Sequence, residues 1–156
     1  MSNPHSVFPE MVVVVDDDEN DQFLLKRLLA KAGIDSHIVV FSDGREAIQG
    51  LAQLAGNAAQ MAILLDVKMP LADGFAVLRW LRSQPVFSAA PVIMLSSSDQ
   101  PSDVAQAQRH GAQCYLVKHP ADVLLDEVLR DARRYGVATE SERKTLFVGS
   151  YNRLLS

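Results

Sequence analysis

Five short apolar runs, spaced along the chain and separated by helical patterns and polar turns, constrain the fold of this sequence more than any other feature. Met11–Val15 reads Met-Val-Val-Val-Val and Met61–Leu65 reads Met-Ala-Ile-Leu-Leu, with no polar residue to mark a solvent face. A half-buried strand alternates polar and apolar positions, so runs like these belong to strands covered on both sides. His37–Phe41, Pro91–Leu95 and Cys114–Val117 complete the set.

Helical spacing fills the intervals. After Asp16–Asp21, the residues Leu24, Leu25, Leu28, Leu29 and Ala32 recur at helical period, and Gly33 supplies a stop. Ser42 or Asp43 caps a second helix carrying Ala47, Ile48, Leu51 and Leu54, and Gly56–Gln60 reads as a loop. Met69-Pro70 and Asp73-Gly74 mark a turn before a third helix with Phe75, Val77, Leu78 and Leu81. Ser96–Ser102 reads as a polar loop, and Pro101 fits the first turn of a fourth helix that runs to about Arg109. Pro120–Tyr135 carries Leu124, Leu125, Val128, Leu129 and Ala132 on one face of a fifth helix. Strands alternating with helices imply an α/β fold of the flavodoxin-like, doubly wound kind. It has five parallel strands in the order 2-1-3-4-5 and helices on both faces.

Bulk properties narrow the function. The chain has 156 residues, 48% of them apolar and 22% charged, which is the profile of one folded domain. The net charge of −4 gives no basis for a nucleic-acid surface. No apolar run reaches the length of a membrane span, and Met1–Glu10 lacks the pattern of a signal peptide. Cys114 is the single cysteine, which rules out an internal disulfide and reads as a small buried hydrophobe. Together these features lead us to expect a cytoplasmic protein without a membrane partner.

In open parallel sheets, ligands bind beyond the carboxyl ends of the strands. Strand one is followed by Asp16, Asp17 and Asp18, strand three by Asp66, strand four by Ser96, Ser97 and Ser98, and strand five by Lys118. Packed carboxylates repel one another unless a cation neutralises them, and an all-oxygen ligand set suits Mg2+. A carboxylate can act as nucleophile toward phosphorus and become an aspartyl phosphate. Phosphoryl transfer then needs mainly positioning and neutralisation of oxygens, which Mg2+, an ammonium and a hydroxyl supply. Each piece alone has an ordinary reading: Asp16–Glu19 also suits an acidic helix start, Asp66 a turn, Lys118 a surface charge. The combination at four matching strand ends is what carries the chemical reading.

These residues resemble the receiver domains of two-component response regulators. The resemblance rests on Val-Asp-Asp-Asp at 15–18, Leu-Leu-Asp-Val-Lys-Met-Pro at 64–70 and Asp-Gly at 73–74. It continues with Pro-Val-Ile-Met-Leu-Ser-Ser at 91–97 and Tyr-Leu-Val-Lys at 115–118. It implies that Asp66 is the phosphoacceptor, that Asp17, Asp66 and the backbone carbonyl of Lys68 ligate Mg2+, and that Asp16 does so through water. It further implies that Ser96 is the switch hydroxyl, that Lys118 pairs with the phosphoryl group, and that Tyr115, a partly buried strand-end aromatic, reports activation by its rotamer. The side chains of Lys68 and Ser98 are expected to flank the path of the hydrolytic water. One departure stands out: the family's Lys-Pro after strand five is here Lys118-His119-Pro120.

The resemblance divides the chain into an N-terminal extension (1–10), a receiver (11–135) and a C-terminal extension (136–156). It implies a non-enzymatic stand-alone receiver that is phosphorylated by a sensor histidine kinase or phosphotransfer protein and signals by protein contact. A narrower similarity, carried by Ser96–Asp103, the Cys-Tyr-Leu-Val-Lys run and the tail, is to short receivers that serve bacterial phytochrome kinases. Phe147, Val148, Tyr151, Leu154 and Leu155 form an apolar stripe in the tail that calls for a partner, either the chain's own domain or, slightly favoured, a second subunit in a homodimer. The competing reading is a Mg2+-dependent phosphatase or phosphotransferase with Asp66 as nucleophile. Lys68 opposes it, because haloacid-dehalogenase-type hydrolases place a second aspartate there. A flavin-binding reading is opposed by Asp16-Asp17-Asp18, which would repel the flavin phosphate. A receiver that keeps only the fold is opposed by the complete set of Asp17, Asp66, Ser96 and Lys118.

Overall fold

The computed structural model describes residues 9–31, 33, 37–69, 71–97 and 100–117. Five parallel strands form one sheet in the order β2-β1-β3-β4-β5, with β1 at Met11–Val15, β2 at His37–Phe41, β3 at Met61–Asp66, β4 at Val92–Ser96 and β5 at Cys114–Val117. Every residue of β1, β3 and β4 is buried, as their unbroken apolar runs require, whereas β2 at the edge is half exposed. This is the doubly wound, flavodoxin-like order expected above.

Helices α1 (Glu19–Lys31), α2 (Gly44–Gln53), α3 (Gly74–Ser83) and α4 (Pro101–Arg109) connect the strands. Side chains alternate across the sheet, so each strand feeds two cores. Val13, Val15, Ile63, Leu65, Met94 and Tyr115 face α2, α3 and α4, where Leu51, Leu78, Leu81 and Ala107 meet them. Val12, Val14, Leu64, Ile93, Leu95 and Leu116 face the other way, against Leu25 and Leu29 of α1. The two faces thus carry helices on opposite sides.

Several boundaries differ from the sequence reading, each for a local reason. The segment 56–60, read as a loop, lies in a 3-10 helix, Ala55–Gln60, that continues from α2 and buries Ala58. Helix α1 starts at Glu19, earlier than its apolar spacing suggests. The Asp18 carboxylate accepts the Asn20 and Asp21 amides at 2.8 and 3.2 Å and so begins the helix. Asp43, of the two candidates, caps α2 by accepting the Glu46 amide at 2.7 Å, and Glu46 reaches back to the Ser42 amide at 3.3 Å. Asp73 caps α3 in the same way, through the Ala76 amide at 2.9 Å. The fifth helix and the tail lie outside the described residues.

At the amino edge of the sheet, Arg82 and Gln113 tie three pieces of backbone together. Its guanidinium donates to the carbonyls of Gly111 at 3.0 Å and Phe87 at 2.9 Å, and to Gln113 Oε1 at 2.8 Å. The same Gln113 oxygen accepts the buried amide of Val92 at 2.7 Å. No motif announces this network, since an arginine and a glutamine thirty-odd positions apart have no sequence signature.

Candidate functional site

The strand register brings the chemistry together. Val15 pairs with Leu65, so Asp16, the next residue of that chain, lies alongside Asp66. Asp66 pairs with Leu95, and Ser96 follows it. Ser96 in turn pairs with Val117, the residue before Lys118. Asp66 and Ser96 are therefore the last residues of their strands, not the first beyond them. The ladder continues past them through the Val67 amide, which donates to the Leu95 carbonyl at 3.1 Å.

Asp16, Asp17 and Asp66 each place a carboxylate oxygen within 4.8 Å of the others. Asp16 and Asp66 are buried, with 1% and 7% of their surface exposed, while Asp17 is open to solvent. Two buried like charges at that range repel by about 3 kcal/mol at an effective dielectric of roughly 20. A hard divalent cation removes that cost and takes carboxylate oxygens as ligands, so the donor set fits Mg2+. Asp18 is not part of the cluster; its carboxylate is turned to the start of α1. Of the three consecutive aspartates, two serve the site and one serves the helix.

Asp16 is held from several sides. Its amide donates to the Phe41 carbonyl at 3.1 Å. Its carboxylate accepts the Asp18 amide at 2.9 Å, and its carbonyl accepts Gln22 Nε2 at 2.6 Å. Gln22 Nε2 also lies 3.3 Å from Ser42 Oγ. Gln22 was not singled out by the sequence, and no spacing rule would have found it.

Ser96 is buried at the end of β4, with 2% exposure, next to Val67 in the loop that follows Asp66. Lys68 is exposed. Tyr115 departs from expectation: it is fully buried within β5, not partly buried at a strand end. Its ring belongs to the core between the sheet and α2–α4, because Tyr115 has the same facing as Met94, its partner in β4. Ser98, Lys118, His119 and Pro120 lie outside the described residues.

Two glycines shape the loop after Asp66, and both sit in Asp-Gly pairs whose aspartate caps a helix. A side chain on Gly74, the first residue of α3, would overlap the backbone carbonyl of Asp66 itself. The Gly74 amide donates to the Val67 carbonyl at 2.8 Å. A side chain on Gly44, the first residue of α2, would overlap the carbonyl of Ala72 and come within 2.8 Å of the Ala72 methyl. Between these points Leu71 adopts a left-handed backbone, φ 71°, with its side chain 76% exposed. The repeated Asp-Gly pair was the available signal for both contacts.

Comparison with known proteins agrees with this geometry. The family model described as the response regulator receiver domain matches residues 12–130. Response regulator Rcp1 of Synechocystis is 30% identical over 120 residues, covering 75% of this chain and 79% of that protein. The crystal structure of the Mn2+-bound form of a response regulator Rcp1 superposes with a TM-score of 0.67 at 25% identity, over 84% of this chain and 98% of that one. The receiver domain of a signal transduction histidine kinase from Syntrophus aciditrophicus gives a TM-score of 0.70 at 30% identity, over 85% and 96% of the two chains. The phosphorylated cyanobacterial phytochrome response regulator RcpA gives 0.67 at 28% identity, over 84% and 97%. With a five-stranded sheet in the same order, an acidic cluster at its carboxyl edge and a family match across most of its length, this chain belongs to the response regulator receiver family.

Proposed function

We propose that Asp66 is the phosphoacceptor of this response regulator and that Asp16, Asp17 and Asp66 hold a Mg2+ ion beside it. The observation that carries this reading is the convergence of three carboxylates at the carboxyl edge of the sheet, with the Ser96 strand end next to them. An Asp66 carboxylate oxygen attacks phosphorus in line, forming an O–P bond as the P–N bond of a phosphohistidine donor, or the P–O bond of a small acyl phosphate, breaks. Asp16, Asp17 and Asp66 would hold the Mg2+, which would supply positive charge to offset the carboxylates and the phosphoryl oxygens. The remaining roles rest on resemblance: the Lys68 carbonyl as a further ligand, Asp16 acting through water, the Ser96 hydroxyl and Lys118 ammonium on phosphoryl oxygens. Tyr115 is assigned as the aromatic that follows the switch, and its buried ring corresponds to the inward arrangement.

The donor is a sensor histidine kinase or a phosphotransfer protein. Similarity to Rcp1 and to the phytochrome regulator RcpA supports a bacteriophytochrome as that kinase. Residues 11–135 form the receiver, flanked by extensions 1–10 and 136–156. The chain works in the cytoplasm and passes its signal by protein contact, with the tail available for homodimer formation. Beyond transfer onto Asp66 and hydrolysis from it, no further catalytic activity is assigned. The decisive experiment is labelling with acetyl phosphate in the presence of Mg2+. One labile phosphoryl group per chain is expected, lost in Asp66→Asn. Wild-type labelling of that variant would overturn the assignment, and multiple turnover would point to a phosphatase instead.

A further inference from the structure

Helix α2 supplies no carboxylate to the cluster, yet the chain leading into it, from the end of β2 to Gly44, touches both loops that do. On one side, the end of β2 is tied to Asp16: the Phe41 carbonyl accepts the Asp16 amide at 3.1 Å. Gln22 Nε2 reinforces the tie, lying 2.6 Å from the Asp16 carbonyl and 3.3 Å from Ser42 Oγ. On the other side, Gly44 packs directly on the carbonyl of Ala72, in the loop that begins at Asp66. That loop is closed by Gly74, whose Cα lies against the Asp66 carbonyl.

We propose that the segment Ser42–Gly44 is a brace that sets the spacing of the Asp16–Asp17–Asp66 cluster, with Gln22 and Gly44 as positioning residues for the cation site. The inference rests on the proposed Mg2+ site and deepens it. Repulsion among the carboxylates pushes the two loops apart when no cation is present. A rigid connection between them holds the oxygens at ligand spacing and reduces the reorganisation that binding requires. Gly44 is suited to the contact for steric reasons alone. Its backbone has no positive φ, so alanine is conformationally acceptable there and only the overlap with Ala72, its carbonyl and its methyl, forbids it.

The test measures Mg2+ binding directly by calorimetry, alongside the Mg2+ dependence of phosphorylation by acetyl phosphate. Four variants are compared: Gly44→Ala, Gln22→Met, Ala72→Gly and, as a control, Gly56→Ala, where an added methyl meets nothing within 4 Å. The expected result is a Mg2+ Kd raised about tenfold in Gly44→Ala and about threefold in Gln22→Met and Ala72→Gly, following the affinity scale for outer-shell partners of metal ligands. The maximal phosphorylation rate at saturating Mg2+ is expected to stay within about twofold of the original, and Gly56→Ala to behave as the unaltered protein. In the metal-free protein, the Gly74 amide should exchange faster in Gly44→Ala. Gln22→Met and Ala72→Gly keep the inference testable if Gly44→Ala does not fold. Unchanged Kd in the folded variants, or a fall in maximal rate with Kd unchanged, overturns the inference alone. Absence of Mg2+ binding by the unaltered protein overturns the proposed site and the brace with it.

Discussion

Asp17 and Asp18 adjoin in the chain, and their carboxylates do unlike work. Asp18 caps α1, so Asp18→Ala should lower stability by about 1 kcal/mol while leaving Mg2+ affinity within about twofold. Asp17 is exposed and belongs to the acidic cluster, so Asp17→Ala should weaken Mg2+ binding by at least tenfold with little loss of stability. Urea unfolding and calorimetric titration of the two variants check both halves. Leu71 gives a second residue-scale expectation. A leucine in the left-handed region costs about 1–2 kcal/mol, and this side chain is 76% exposed and so gains little from burial. Asparagine tolerates that backbone better, and Leu71→Asn should raise the unfolding free energy by about 0.5–1 kcal/mol in the same denaturation assay. Lys68 is exposed two residues after Asp66, the proposed acceptor, and on that proposal Lys68→Ala should shorten the half-life of phosphorylated Asp66 severalfold by opening the approach of water. A decay time unchanged from that of the original protein would remove this role.

At the scale of elements, legibility followed the strength of the local signal. Unbroken apolar runs placed β1 and β3, because a strand buried on both faces leaves no polar alternation to confuse the period. Cap candidates marked the starts of α2 and α3: Ser42 or Asp43 for the first, the Asp73-Gly74 pair for the second. Residues 56–60 of the 3-10 helix at Ala55–Gln60 were read as a loop, since two tight turns are too short to show a periodicity. Asp66 and Ser96 were read as following their strands because polarity ends an apolar run, whereas pairing with Leu95 and Val117 keeps both residues extended. Tyr115 was read as a partly buried strand-end aromatic, and its full burial depends on α2–α4 covering that face, which is a long-range outcome. The Arg82–Gln113 network was invisible for the same reason. Replacing Gln113 by leucine leaves the buried Val92 amide without its acceptor and should cost about 1–3 kcal/mol in a denaturation series.

For the whole molecule, the proposed cation site would link signalling chemistry to folding. A ligand that binds only the native state stabilises it by mass action, by about 2.7 kcal/mol at a concentration of one hundred times Kd. Mg2+ should therefore raise the melting temperature of the unaltered protein and of Asp18→Ala, and that of Asp17→Ala by no more than about half as much at the same concentration. Metal-free Asp66→Asn should melt above the metal-free original, since one of two buried like charges is gone. A practical consequence attaches to Trp80. It is the only tryptophan of the chain, and its ring stacks at a tilt on Phe87, 5.8 Å between centroids. It lies six residues into α3 from Gly74, about 9 Å along the helix axis from the loop after Asp66. The native emission of this protein should therefore follow global unfolding through the Trp80–Phe87 pair and respond only weakly to Mg2+, which on the proposed site would bind near the other end of α3.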